Sequence, residues 1–65
     1  MSILPPVQLA DQIACVTREI AYRRRVYPRW VEAGRMTQAK ADTQIRHMEA
    51  VLETVEKAAQ TERLL

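Results

Sequence analysis

Sixty-five residues with a net charge of +2 and a single cysteine make one small domain, which hides only about 60% of its unfolded surface and is marginal as a lone copy. Two common remedies are excluded: Cys15 has no second cysteine to bond within the chain, and Cys15 with His47 cannot supply the three or four ligands of a zinc site. Association with another chain is the remedy left, so the expectation is a homo-oligomer, a dimer first, with no metal and no cofactor.

A lone thiol suits a reducing compartment. Met1 to Pro6 has no basic segment leading into an apolar stretch, so no signal peptide is expected. The longest strictly apolar run, Ile13 to Val16, is far too short to span a bilayer. Together these features predict a cytoplasmic protein without membrane contact.

Pro5-Pro6 suits a helix start, because the N–H that proline lacks would be unpaired in the first turn anyway. A heptad frame then places Leu9, Ile13, Val16, Ile20, Arg23, Tyr27 and Trp30 on one coiled-coil-like stripe, which Val31 widens. Pro28 removes one backbone hydrogen bond and crowds the carbonyl of Arg24. The frame runs through it, which predicts one helix over about 6–33, kinked near Pro28. The rival is a helix that ends at Val26 and a short one that begins at Pro28. Gly34, the only glycine, tolerates the left-handed backbone that ends a helix, so residues 34–37 form the turn.

Thr37 is the expected N-cap of a second helix, over about 37–61, whose apolar positions are Ala41, Ile45, Met48, Leu52, Val55 and Ala59. Asp42–Arg46 and Glu53–Lys57 are favourable i,i+4 pairs within it. Residues 1–4 and 62–65 are expected to fray. The fold class is therefore all-α: an antiparallel two-helix hairpin occupying residues 1–65 as a single domain. Folding about residues 35–36 sets Trp30 against Ala41, Tyr27 against Ile45, Ile20 against Leu52, Val16 against Val55 and Ile13 against Ala59. Arg23 falls opposite Met48; either its stem lies along the seam with the head in water, or its head meets a carboxylate of another copy. Two helices have no enclosed interior, so a further apolar strip on helix 1, comprising Ala10, Ala14, Cys15, Tyr22 and Val26, is free to pack against a second copy as a four-helix bundle.

The stretch Arg18-Glu19-Ile20-Ala21-Tyr22-Arg23-Arg24-Arg25-Val26-Tyr27-Pro28-Arg29-Trp30-Val31, continuing through Gly34-Arg35-Met36-Thr37 to Ala41-Asp42 and Ile45–Met48, resembles a group of small uncharacterised proteins of phage and prophage genomes. The resemblance covers roughly residues 12–55, with Tyr27 to Asp42 its distinctive run. It implies phage origin and a bacterial cytoplasm, and it carries no mechanism and no functional residues.

Charge is the other functional signal. Residues 18–46 carry eight cations against three anions, a net +5, whereas residues 1–17 carry −1 and residues 47–65 carry −2. A hairpin converts that pattern into a basic turn end and a mildly acidic open end. Arg18, Arg24, Arg25, Arg29 and Arg35 are the candidate polyanion contacts, since consecutive helical arginines splay by about 100° and Arg23 stays on the seam. Tyr22, Tyr27 and Trp30 lie among them and offer faces for base stacking, although Tyr27 and Trp30 also fit the hairpin core and no nucleic-acid-binding fingerprint is present. Ala14, Cys15, Tyr22 and Val26 are the candidate self-association face. Cys15 reads as an apolar filler, His47 as a surface residue, and Glu49, Glu53 and Glu56 as a solvated acidic face. No glycine-rich phosphate loop is present, and the expectation is a protein without catalytic residues. The function expected first is self-association together with binding of a host or phage protein; a nucleic-acid accessory role through the arginine end stands second, and a structural bundle within a larger phage assembly third.

Overall fold

The computed structural model describes residues 6–64 as an antiparallel helical hairpin: α1, Leu9–Glu32, and α2, Gln38–Leu64. Helix α1 begins three residues later than the proline pair suggests. Pro6, Val7 and Gln8 are non-helical, while Pro5 lies outside the described residues. Gln8 is the N-cap with extended backbone, and its carbonyl accepts from the N–H groups of Asp11 and Gln12 at 3.0 and 3.1 Å. The Gln12 side-chain amide donates to the Val7 carbonyl at 3.0 Å. The helix thus starts where the apolar stripe starts, because nothing at 6–8 buries a side chain to repay ordering another turn.

Helix α1 runs unbroken through Pro28 to Glu32, so the alternative break at Val26 does not occur. Its end is a complete glycine cap. Gly34 has φ +77°, the Gly34 N–H reaches the Val31 carbonyl at 3.0 Å, and the Arg35 N–H reaches back to Trp30 at 2.8 Å. These two bonds satisfy carbonyls the helix end would otherwise leave open. Thr37 caps α2 as its sequence position suggests, its hydroxyl accepting from the Lys40 N–H at 3.1 Å. At the far end α2 continues to Leu64, beyond the expected residue 61, with Arg63 in its last turn interacting favourably with the helix dipole.

The core is small. Ile20, Tyr27 and Ala41 are the buried side chains among the described residues; Leu9, Ile13, Val16, Val31, Ile45, Met48, Leu52, Val55 and Ala59 are half-buried along the same seam. The expected register holds in outline: Tyr27 and Ile45 line one groove between the helices, Ile20 and Leu52 a second, Ile13 and Ala59 a third. Trp30 is less enclosed than its place on the stripe suggests: it remains 37% exposed, tilted against Tyr27 with ring centroids 5.6 Å apart. A straight α-helix drifts by about 20° per heptad, so over the three heptads from Leu9 to Trp30 the frame rotates about 60° off the seam and Val31 takes the inward place.

Arg23 is half-buried on the seam and pairs with Glu19 of its own helix, so neither a free head nor a carboxylate of another copy is needed to account for it. That hydrogen bond raises the guanidinium above its ordinary pKa. Glu53 and Lys57 pair at 3.0 Å as expected. Asp42 instead accepts from the Gln38 amide at 2.9 Å, and no Asp42–Arg46 ion pair forms.

The shape is elongated, with extents of 47 × 28 × 18 Å and a radius of gyration of 15.1 Å, against about 11 Å for a compact domain of this length. Among the described residues no helix is long and apolar enough to cross a membrane.

Candidate functional site

A continuous α-helix turns about 100° per residue, which decides how the candidate side chains are grouped. Arg18, Arg25 and Arg29 fall within about 40° of one another on the side of α1 turned away from Ile20 and the seam, a basic ridge about 17 Å long. None of the three joins an ion pair among the described residues, and Arg35 is exposed in the turn. Arg24 separates from the group: it lies on the flank facing α2 and forms a salt bridge with Glu49 across the hairpin.

The aromatic rings are no open stacking platform. Tyr27 is buried, the Arg25 guanidinium lies over the Tyr22 ring at 5.6 Å from its centroid, and Trp30 leans on Tyr27.

The candidate self-association residues also divide. Ala14 is about 100° from Cys15 around α1 and joins Ala10 and Ala21 on one flank; Cys15, Tyr22 and Val26 share the other flank with Trp30. Cys15 is exposed and Val26 half-buried. The Arg24–Glu49 bridge identifies the two broad faces of the hairpin. Around their own helices, Tyr22 lies about 160° from Arg24 and Val51 about 160° from Glu49, so both belong to the face opposite the bridge. Tyr22 is 45% exposed and Val51 48%. With Trp30 they are three of the five large apolar side chains left exposed among the described residues, the other two, Val7 and Leu64, lying at the open end. Sequence reading misses Val51, which falls outside the heptad positions of α2; it emerges once both helices are placed on one face.

The bridge face is grooved. One groove there, about 350 Å³, is lined by Arg24, Tyr27, Pro28, Ala41, Asp42 and Ile45 among others, and it is open to solvent along the hairpin. Among the described residues no three His, Cys, Asp or Glu side chains gather as a metal-holding group; Glu49 and Glu53 are engaged by Arg24 and Lys57. His47 is exposed.

Comparisons with protein-family models, curated proteins and solved structures give no match. What the chain does must therefore be argued from its surfaces.

The accessible area is 5588 Å². A compact monomer of 7.5 kDa exposes about 4,200 Å², so this elongated hairpin exposes roughly 1,400 Å² more than a compact chain of its mass. A specific interface buries about 800 Å² per partner.

Proposed function

We propose that this chain is a non-enzymatic helical interaction protein of phage or prophage type, working in the bacterial cytoplasm as a homo-oligomer that presents its remaining surface to a host or phage protein. The observation that carries this reading is the apolar face bearing Tyr22, Trp30 and Val51, on a hairpin with only three buried side chains among the described residues. An aromatic pair and a valine in water cost the isolated chain hydrophobic free energy that a partner surface recovers. The phage assignment rests on the resemblance of residues 12–55 and on nothing in the geometry.

Sedimentation of the purified protein across a concentration series tests the reading. Concentration-dependent dimerisation is expected; a cooperatively melting monomer at every concentration overturns it.

A second reading, binding of a nucleic acid or other polyanion, draws on the ridge of Arg18, Arg25 and Arg29, none of which joins an ion pair among the described residues. It predicts a mobility shift of labelled DNA or RNA that weakens steeply with salt as counterions are released and that disappears when the three arginines become glutamine. Absence of any shift at low salt eliminates it. The covered or buried faces of Tyr22 and Tyr27 favour the first reading.

A further inference from the structure

Resting on the self-association reading, we infer that the occupant of the apolar face is a second copy of this chain running antiparallel to the first, turn end over open end, with a two-fold axis at the level of Tyr22 and Val51. Three observations converge on that geometry.

The first is the level of each residue along the hairpin. Arg24 meets Glu49, so residues whose numbers sum to about 73 sit side by side, and Val51 is level with Tyr22. Cys15 is level with Ala58, and both are small side chains on this same face, about 10 Å from the Tyr22–Val51 level towards the open end. Trp30 lies about 12 Å from it towards the turn. An antiparallel two-fold at Tyr22–Val51 therefore lays the tryptophan of each copy over the small Cys15–Ala58 patch of the other, and a large side chain entering a small-residue depression is how helical layers interdigitate. A parallel two-fold would instead lay α1 over the partner's α2 and set Trp30 over the level of Gln44, with no small-residue depression to receive it.

The second observation is charge. Lys40 and Glu62 each lie about 20° from Val51 around α2, on the same face, and both are exposed. Lys40 is about 17 Å from the central level on the turn side and Glu62 about 17 Å on the open side. The antiparallel two-fold brings each lysine to the partner's glutamate at both ends of the interface. The same holds for the whole molecule: residues 18–46 at +5 overlie segments of −1 and −2. A parallel pair would stack the two +5 ends on each other, a repulsion that suppresses the alternative.

The third observation is area. The hairpin exposes roughly 1,400 Å² more than a compact chain of this mass, spread over the whole elongated molecule, against the about 800 Å² per partner that a standard interface covers. Two hairpins joined in this way form a four-helix bundle whose central layer is Tyr22 and Val51 from each copy.

The probe is a nitroxide spin label placed off the proposed interface, on Ala10→Cys in a Cys15→Ala background that keeps the small patch small, since Ala10 is exposed on the bridge face. Ala10 lies about 18 Å from the central level towards the open end, so the antiparallel dimer sets the two labels about 36 Å apart along the bundle, read by dipolar spectroscopy. The parallel dimer puts both at one level, separated only across the bundle, with a distance below about 30 Å. A dimer with that short distance overturns the antiparallel geometry and leaves self-association standing; a monomer by sedimentation overturns both. In the second arm, Val51→Glu puts two carboxylates at the two-fold. It is expected to weaken dimerisation at least about tenfold, with helical content by circular dichroism above the dissociation point unchanged. An unaltered dimer constant in the folded variant shows that this face is not the interface.

Discussion

Replacing Gly34 by alanine isolates one term of the fold. Gly34 has φ +77°, and a methyl group built on it meets no atom within 4 Å. No collision is involved, so the whole cost is that of holding an L-residue in the left-handed region, about 1 kcal/mol for alanine. Asparagine, whose short side chain makes local hydrogen bonds there, should lose about half as much, and valine more than alanine because its branched carbon is intolerant of positive φ. The expected order of stability is glycine, asparagine, alanine, valine. Urea unfolding at one fixed protein concentration measures it: the midpoint falls in that order while the slope with denaturant stays constant, since the same surface is exposed in each variant. If alanine is as stable as glycine, the turn is not the left-handed cap described here. If the loss grows with side-chain volume from alanine to serine to leucine without regard to branching, the space around Gly34 is filled in solution, and the reasoning fails on that ground.

Thr37→Ala removes the acceptor for the Lys40 N–H and should lower stability by about 1 kcal/mol; Thr37→Ser should retain most of it, and equal losses for both would refute a capping role. Pro28→Ala restores a backbone donor inside α1, where proline has no N–H to give. A gain of roughly 1–3 kcal/mol in urea unfolding is expected, and a loss would show that the ring is packed rather than merely tolerated. The Arg24–Glu49 bridge joins two exposed side chains, so a double-mutant cycle with glutamine at both positions should give a coupling below about 1 kcal/mol that vanishes at high salt. A larger, salt-resistant coupling would mean that the pair is buried in solution by a second copy.

The hairpin is legible in the sequence because its punctuation has physical causes. One glycine stands between two apolar-periodic runs, and Thr37 lies four residues before the buried Ala41, a spacing that sets an N-cap against the first core position of α2. Three details resist the same reading. Trp30 falls on a strict heptad count and yet faces half into water, because 3.6 residues per turn do not keep step with a repeat of 3.5. Ala14 and Cys15 look like one strip when only composition is counted, although adjacent helical residues point about 100° apart. The Arg24–Glu49 bridge goes unnoticed when pairing is tested for apolar positions alone, although two residues at nearly equal distance from the turn, with opposite charge, carry the signal. The early proline pair misleads for a different reason: it permits a helix start without requiring one.

Tyr27 and Ala41 lie near the turn and Ile20 at the middle of α1, whereas Leu9, Ile13 and Ala59 towards the open end are only half-buried. The hairpin is thus a zipper fastened at one end. Contacts close in sequence form next to the cap and propagate outward, which places the molecule among fast-folding topologies. Opening runs the other way, from the tips inward, so backbone amides around Ile13 and Ala59 should exchange with solvent well before those around Tyr27 and Ala41.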